Sequence, residues 1–338
     1  MRIIVCADSS KVMGFGHITR ALTLARALGD AGAEVIAIGR GMTEGASFSQ
    51  SFQGCRTVED SDGSESGRIG LIRNLSPDGL VADGYHFSEG FYASLQEAEI
   101  PYSVVDDNGQ TRARTPILVH NQNPHATKSL YSFGSHKPTL LLGPEFMLVR
   151  PEVKNFSGSP HSRTKHVLLN FGGTDARDLT IPFAKGLLAN RVPLALREDF
   201  RASIESELRE KKLGADIKFF SRAEFLSALA ASRFAVLGAG TSVWEANALG
   251  IATVAVVITS SQMKATVAAK KRGYLKEFVD ATNTSDPVSR VYDALISFEE
   301  TQHAGEGDNF ARIPLDGADR VARKLMKKFS REKTKKLN

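Results

Sequence analysis

The sequence predicts a two-domain α/β protein in which each domain is built on a doubly wound parallel sheet. The chain has 338 residues, about twice the ~150 residues of an ordinary domain. Short β-branched runs alternate with longer amphipathic segments, which is the pattern of βαβ units. The alternation lapses over residues 143–166, a polar stretch with three prolines that indicates a linker. We expect domains at 1–150 and 151–320, followed by a basic tail at 321–338.

The elements of the two predicted domains follow from the same pattern. In the first domain we expect a helix at 16–31 and strands at 2–8, 34–40, 79–83, 102–106, 117–120 and 139–142. In the second domain we expect strands at 166–172, 193–196, 217–220, 234–237 and 253–258. Several of these runs are apolar throughout, as in strands covered by helices on both faces. Ligands of open α/β sheets bind beyond the carboxyl ends of the strands, so motifs at strand ends carry most weight.

The composition excludes several classes of protein. With 42% hydrophobic and 24% charged residues, the chain is neither fibrous nor disordered. The formal net charge is +5, but residues 323–338 hold eight Lys/Arg and one acidic residue, which leaves −2 for the rest. A basic run with hardly any aromatic residue indicates a solvated helix end rather than a nucleic-acid-binding surface.

The cysteines and the hydropathy pattern indicate a reducing, aqueous compartment. Cys6 lies in a predicted strand and Cys55 in a separate segment, without the paired spacing of a disulfide framework, so we expect two free thiols. No stretch reaches the ~18 apolar residues that cross a bilayer, and the first apolar run is typical of a strand rather than a signal peptide. We expect a cytoplasmic protein, monomeric or weakly dimeric, that does not insert into membranes.

A glycine-flanked turn follows the first predicted strand and delivers His17 to the start of a helix. Gly14 and Gly16 let the backbone turn tightly there. The positive end of the helix dipole disfavours the imidazolium form, so His17 is expected to be neutral and able to accept a proton. A capping or core histidine beside an ordinary glycine turn would give the same pattern. The segment is neither a dinucleotide fingerprint nor a P-loop, because Thr19 replaces the third glycine and no Gly-Lys-Ser/Thr follows.

Two glycine motifs in the second domain suit a diphosphate. Gly240 follows an apolar strand and opens a predicted helix, whose backbone N–H groups can face phosphate oxygens. Glu245 lies about one turn into that helix, where a carboxylate can accept hydrogen bonds from ribose hydroxyls. Ser242 and Glu245 also have the spacing of a capping box, and the two roles are compatible. Gly172 and Gly173 end another strand, where a glycine pair either wraps a phosphate or simply forms a turn.

Three strands of the first domain end in polar residues, which we expect to meet at one edge of the sheet: Asp83 and Tyr85, Asp106 and Asp107, and Asn121 and Asn123. Converging carboxylate, phenol and amide groups suit a sugar. Turn and N-cap roles are also typical of aspartate and asparagine at such positions. The adjacent Asp106 and Asp107 could hold a cation, but no calcium loop, His-x-x-x-His or Cys-x-x-Cys pair is present. We expect no metal, and we also expect no cofactor.

Taken in order, these motifs resemble those of the UDP-sugar hydrolases of pseudaminic acid biosynthesis, which cleave UDP from a 2,4-diacetamido-2,4,6-trideoxy-L-altrose. The resemblance runs over most of the chain. It is carried by an ordered set of motifs: Gly16-His17-Ile-Thr-Arg20, Asp83-Gly-Tyr85, Asp106-Asp107, Asn121-Gln-Asn123, Gly143-Pro-Glu-Phe, Phe171-Gly-Gly-Thr-Asp175, Gly240-Thr-Ser-Val-Trp-Glu245 and Gln262.

The resemblance implies a GT-B architecture, in which two Rossmann-like domains with parallel sheets face each other across a cleft that holds the active site. It implies that His17 activates water, without a metal, to attack the anomeric carbon with inversion and loss of UDP. Sugar contacts are expected from Gly16, Arg20, Asp83, Tyr85, Asp106, Asp107, Asn121 and Asn123. Nucleotide contacts are expected from Gly172, Gly173, Thr174, Gly240, Thr241, Ser242, Glu245, Ser261 and Gln262.

Three functions are compatible with these motifs. A UDP-sugar hydrolase is favoured by the polar strand ends of the first domain, whereas an apolar, membrane-facing patch would favour a GT-B glycosyltransferase with a lipid acceptor. A nucleotide-sugar-binding protein without turnover is the third, and His17 argues against it. The family has Asn-Gln where this chain has Ser261-Gln262. Serine has a shorter reach than asparagine, so we expect the identity of the sugar to be the feature in which this chain differs most from the family.

Overall fold

The protein divides into two compact units that do not follow one another simply along the chain. The computed structural model describes residues 1–8, 16–42, 55–157, 163–211, 216–303 and 310–337, except for the side chains of residues 210, 211, 303 and 337. The first unit combines Met1–Arg150 with Pro314–Asn338, and the second is Pro151–Ile313. The chain therefore leaves the first unit, builds the second, and returns to the first.

Where the structure describes it, the first unit contains a parallel sheet of seven strands. These are β1 (Arg2–Ala7), β2 (Glu34–Gly39), β3 (Arg56–Glu59), β4 (Gly79–Asp83), β5 (Tyr102–Val105), β6 (Leu118–Asn121) and β7 (Thr139–Leu142). Their order in the sheet is β3-β2-β1-β4-β5-β6-β7. Helices α1 (Gly16–Asp30), α2 (Glu65–Leu75) and α3 (Glu89–Glu97) connect them. The strand order reverses between β1 and β4, which makes the gap beyond these two strands the topological switch point of the sheet.

The apolar run of β1 reflects burial on both faces of this sheet. Ile3 and Val5 belong to the core that β1 shares with α1. Ile4 and Cys6 point to the opposite face and belong to the core on the other side of the sheet. Because side chains alternate along a strand, only a continuous apolar run can satisfy both cores.

The described residues of the second unit form a parallel sheet of six strands: β8 (Val167–Asn170), β9 (Leu194–Arg197), β10 (Ile217–Phe220), β11 (Phe234–Gly238), β12 (Thr253–Val257) and β13 (Glu277–Asp280). Their order is β10-β9-β8-β11-β12-β13, with the switch point between β8 and β11. The helices are α4 (Thr180–Ala189), α5 (Arg201–Lys211), α6 (Phe225–Ala231), α7 (Thr241–Leu249), α8 (Ser260–Lys271) and α9 (Pro287–His303). The predicted fold class, two doubly wound parallel-sheet units, is confirmed.

Two strands were missing from the sequence-based prediction. β3 lies at one edge of the first sheet and β13 at one edge of the second. Each has four residues, and only one of these eight residues, Val279, is buried. Edge strands are covered on fewer sides, so they lack the apolar run by which the inner strands were identified.

The segment 321–338, expected to be a basic tail with the character of a helix end, lies within a helix where the structure describes it, α10 (Gly317–Leu337). Val321, Leu325 and Phe329 recur at helical spacing and are fully buried in the core beneath α1. The ring of Phe329 packs against Gly79 so closely that a Cβ at Gly79 would lie 2.2 Å from it. The helix end expected from the charge of this run therefore also carries a buried apolar stripe, which the charge had masked in the sequence.

The segment 143–166, expected to be an irregular linker, is more ordered than predicted where the structure describes it. One turn of 3₁₀ helix occurs at Pro144–Phe146, and a longer 3₁₀ segment of six residues covers Pro151–Phe156. Val149 and Val153 are buried. The glycine and proline residues at 158 and 160 lie outside the described residues.

The predicted free thiols are confirmed. Cys6 is buried and Cys55 partly buried, and neither forms a disulfide. Burial raises the pKa of the Cys6 thiol to about 12, so it is an inert core residue rather than a nucleophile. Within the described part of the chain, no helix is both long and apolar enough to cross a membrane.

Candidate functional site

The switch point of the first sheet brings His17 and Asp83 together. His17 is the second residue of α1, the helix that follows β1, and Asp83 is the last residue of β4. β1 and β4 are neighbours in the sheet. The Nδ1 atom of His17 therefore lies 2.8 Å from Oδ1 of Asp83, and the carboxylate is buried. Gly16 opens the helix, while Gly14 lies outside the described residues.

Arg20, one helical turn beyond His17, holds two carboxylates at this point. Its Nε and Nη2 atoms donate to the two oxygens of Asp83 at 2.8 and 2.5 Å, and Nη1 donates to Asp107 at 2.7 Å. Burial acts to raise the pKa of both carboxyl groups, but the attraction of Arg20 outweighs it and lowers the pKa of each. Both aspartates are therefore ionised, and Arg20 is fully engaged with them.

The ionised state of Asp83 decides the tautomer of His17. A carboxylate only accepts hydrogen bonds, so the Nδ1 atom of His17 must carry a proton to bond to it. The Nη2 atom of Arg20 also lies 3.1 Å from Nδ1 but cannot donate to a protonated nitrogen. The lone pair of the imidazole is then on Nε2, and no hydrogen-bonding group in the described residues contacts that atom. This arrangement is suited to accept a proton at Nε2.

Tyr85 forms one wall beside the imidazole. Its hydroxyl donates to Oδ2 of Asp107 at 2.5 Å, and its ring meets that of His17 edge-on, with the centroids 5.4 Å apart. Partial burial and the neighbouring charge of Asp107 raise the pKa of the phenol, which therefore stays protonated. The side chain is nevertheless 47% exposed, so its ring offers an apolar surface next to His17.

The amide groups at the end of β6 extend this network. Asn123 donates to Oδ1 of Asp107 at 2.9 Å, and its backbone N–H donates to the side-chain oxygen of Asn121 at 3.0 Å. Asn121 donates to the hydroxyl of Tyr131, which donates to Asp106 at 2.6 Å. Asp106 also accepts the backbone N–H of Gly109. Asp106 and Asn121 thus serve the turn role left open by the sequence, and Asp107 and Asn123 lie nearer to His17.

A second charged cluster at the same sheet edge was not predicted. Asp8 follows β1 directly and accepts hydrogen bonds from Arg68 at 3.0 Å and from Arg40 at 3.0 Å. The Nε2 atom of His86 lies 3.0 Å from the same carboxylate. Asp8 and Arg68 are buried, and their partners are distant in sequence, so no local motif revealed the cluster.

In the second unit, three predicted nucleotide-binding segments follow strands β8, β11 and β12, which are neighbours in the sheet. The segment after β8 turns at Gly172, whose φ of +94° lies in the region that favours glycine. Arg197, at the end of β9, donates to the carbonyl oxygens of Gly172 and Gly173 at 2.8 and 2.9 Å. Thr174 follows, and Asp175 accepts the backbone N–H groups that begin α4.

The segment after β11 begins α7 directly. Gly240 is its N-cap, so Thr241 and Ser242 occupy the first turn. The capping box that the spacing of Ser242 and Glu245 allowed does not form, because Ser242 is already inside the helix. Glu245 is buried, one turn into the helix.

The segment after β12 holds the actual capping box of this region. Thr259 caps α8, and the side-chain oxygen of Gln262 accepts the backbone N–H of Ile258 at 2.9 Å and of Thr259 at 3.3 Å. The hydroxyl of Ser261 lies 2.9 Å from that of Thr259. Gln262 is therefore tied to the start of the helix through its oxygen.

The structure thus groups the predicted residues by unit. Near His17 it places Arg20, Asp83, Tyr85, Asp107 and Asn123, with Asp106 and Asn121 one step further away. Sequence analysis missed Tyr131, Arg197 and Asp8. In the described residues, no three His, Cys, Asp or Glu side chains converge as metal ligands would.

Comparisons with known proteins support the fold. No protein-family profile matches the chain. An uncharacterised protein of Methanocaldococcus jannaschii is 25% identical over 268 residues, which cover 75% of this chain and 55% of that protein. The chain therefore spans little more than half the length of this relative.

Solved structures match nearly the whole chain. MurG of Acinetobacter baumannii has a TM-score of 0.65 at 13% identity and covers 96% of this chain and 99% of its own. MnaA of S. aureus, solved with UDP, has a TM-score of 0.65 at 12% identity, covering 96% of both chains. UDP-GlcNAc 2-epimerase of Neisseria meningitidis, bound to UDP-GlcNAc, has a TM-score of 0.63 at 10% identity, covering 97% and 100%. At such identities the likeness concerns the fold, which is of the GT-B class.

Proposed function

We propose that the chain is a UDP-sugar hydrolase that releases UDP and a free sugar, with inversion at the anomeric carbon. The observation that carries the proposal is the hydrogen bond between His17 and the buried carboxylate of Asp83 at 2.8 Å. It gives the imidazole a defined tautomer with the lone pair on Nε2. The substrate class we propose is a UDP-linked 2,4-diacetamido-2,4,6-trideoxy sugar, as in the hydrolases that the motifs resemble.

The proposed reaction assigns one proton transfer to His17. Nε2 removes a proton from water as the water oxygen bonds to the anomeric carbon from the face opposite the nucleotide. The bond between that carbon and the phosphate oxygen breaks, and its electron pair leaves with UDP. The imidazolium formed on His17 is stabilised by the charge of Asp83, as in other histidine–carboxylate pairs.

The second unit would hold the leaving group. The turn at Gly172 and Gly173 and the first turn of α7 present backbone N–H groups at neighbouring strand ends, and such groups suit the oxygens of a diphosphate. Glu245 would accept the ribose hydroxyls. Two of the solved structures of similar fold contain UDP or UDP-GlcNAc, which supports a uridine nucleotide here.

A GT-B glycosyltransferase is the alternative, since an enzyme with the same nucleotide site could transfer the sugar to an acceptor molecule rather than to water. The similar fold of a UDP-GlcNAc 2-epimerase adds a further alternative. Epimerisation at C2 keeps the heavy-atom substituents of that carbon, so its proton must be removed and returned to the opposite face, whereas hydrolysis inverts the anomeric carbon by displacing the phosphate oxygen. An epimerase would therefore introduce deuterium from heavy water at C2, whereas a hydrolase would not.

The experiment is to incubate the protein in heavy water with a panel of UDP-N-acetylated sugars, without acceptor, and to follow UDP and sugar by phosphorus and proton NMR. We expect release of UDP with a free sugar of inverted anomeric configuration and no deuterium at C2. His17→Ala should abolish release. His136→Ala is the matched control, because His136 bonds to the carbonyl of Pro116, outside the network, at 2.7 Å. UDP binding without release would favour the transferase.

A further inference from the structure

Arg197 is a buried arginine whose hydrogen bonds are directed at one glycine turn. It is the last residue of β9 and is 6% exposed. Its Nη1 atom donates to the carbonyl oxygens of both Gly172 and Gly173. Its Nη2 atom lies 3.1 Å from Asp199. The guanidinium therefore determines the direction of two consecutive peptide groups beyond β8.

The direction of these carbonyls also determines where the backbone N–H groups point. No peptide bond in the described residues is cis, and in a trans peptide the N–H points away from the C=O. The N–H groups of Gly173 and Thr174 must then point away from Arg197, and neither donates a hydrogen bond within the described part of the chain. Gly172 supports this geometry with its φ of +94°. Two adjacent N–H groups on one side of a turn form an anion-binding concavity.

The position of Arg197 is unfavourable for an arginine that only stabilises the fold. Its Nε–H is buried without a partner in the described residues. Burial and the positive charge of Arg222 lower its pKa. An unpaired buried donor and a neighbouring like charge both act against folding.

We propose that Arg197 is a positioning residue for the diphosphate of the nucleotide. By holding the carbonyl groups of Gly172 and Gly173, it turns the N–H groups of Gly173 and Thr174 towards the phosphate oxygens. The guanidinium itself does not contact the ligand. This inference rests on the proposed function only in that the second unit binds a nucleoside diphosphate.

The test measures the dissociation constants of UDP by calorimetry and of uridine by NMR titration, for the intact protein. Arg197→Gln should weaken UDP binding about tenfold or more, while uridine, which has no phosphate, should change by less than about twofold. Arg222→Gln is the matched control. It removes a neighbouring positive charge that pairs with Asp199 but does not bond to the glycine carbonyls, and UDP binding should be kept.

Three results would overturn the inference. The first is unchanged UDP binding in Arg197→Gln, and the second is an equal loss of affinity for UDP and for uridine in that variant. The third is an equal loss of UDP affinity in Arg222→Gln, which would indicate simple charge attraction. If Arg197→Gln fails to fold, Arg197→Lys is tested in its place. It keeps the positive charge but removes the guanidinium that bonds to both carbonyl groups, so UDP affinity should again fall while uridine affinity is kept. If the wild-type protein binds UDP but releases no sugar from UDP-sugars, hydrolysis is refuted and this inference is left intact. Wild-type protein that binds no UDP would remove the premise and refute the inference with it.

Discussion

The orientation of the His17 imidazole follows from the charged groups that surround it. Asp83 fixes the proton on Nδ1 of His17, and Arg20 keeps Asp83 ionised although the carboxylate is buried. Asp107 accepts a hydrogen bond from Nη1 of Arg20 and another from the hydroxyl of Tyr85, which keeps Tyr85 beside the imidazole ring. Each of these groups would be unfavourable alone in the interior, and each is satisfied by the others.

Asp83→Asn tests whether Asp83 sets the tautomer. An asparagine of the same size can offer an N–H to Nδ1, which would move the proton of His17 to Nε2 and remove the base. We expect kcat for UDP release to fall about 10³- to 10⁴-fold, as in other histidine–carboxylate pairs. Asp78→Asn is the control, since Asp78 lies just before the same strand and bonds to the backbone N–H of Arg2 at 2.8 Å. Equal activity of the two variants would contradict the assignment.

The candidate site could be predicted from the sequence where its residues lie at the ends of strands. His17, Asp83 and Asp107 each follow an apolar run, so their convergence could be expected from the topology of a parallel sheet. Tyr131 could not be found in this way, because it follows no strand and its partner Asp106 lies 25 residues away. Arg197 does end a strand, but its partner Gly172 also lies 25 residues away, so only the fold shows that it holds the glycine turn.

Secondary-structure elements are also joined by buried polar contacts that carry pH sensitivity. His120 of β6 donates from Nε2 to the carbonyl of Phe146, in the turn Pro144–Phe146, at 2.9 Å. Its Nδ1 atom is buried without a partner in the described residues. Burial lowers the pKa of His120 to about 4, because protonation would place a charge and an unsatisfied N–H in the core.

His120 should therefore make the free energy of unfolding depend on pH. The unfolded state binds the proton at the ordinary pKa of about 6.5, so the unfolded chain carries more protons between about pH 6.5 and 4 and stability falls as the pH falls. The loss from this group should approach about 3 kcal/mol near pH 4, where carboxylates also begin to titrate. Urea unfolding of the wild type and of His120→Gln at several pH values measures it. Parallel pH profiles of the two proteins would refute the contribution of His120.

Elements differed in how well the sequence predicted them. The inner strands, such as β1 and β11, are buried on both sides and carry apolar runs that could be read directly. β3, the sequence Arg-Thr-Val-Glu, contains no buried residue and could not be distinguished from a loop. The apolar stripe of α10 is visible in the sequence. That it packs against α1 in the core of the first unit could be seen only from the fold.

At the scale of the whole molecule, the two units share one plan with different connectivity. Each has a parallel sheet whose strand order reverses at a switch point, and the candidate functional residues follow the strands at that point and the strands beside them. The second unit is continuous in sequence, whereas the first is completed by Pro314–Asn338. The first unit therefore lacks part of its core until the last residues of the chain are in place.

This connectivity predicts different behaviour of the two units when they are produced separately. Residues 151–313 contain a complete core and should unfold cooperatively in urea. Residues 1–150 lack α10 and its buried Phe329, the loss of which alone costs about 3–5 kcal/mol in a core. They should show a broad transition, sharpened by adding a peptide of residues 314–338. A peptide with Phe329→Ala is the control and should not do so. A sharp transition for 1–150 without peptide would mean that α10 covers, but does not complete, this unit.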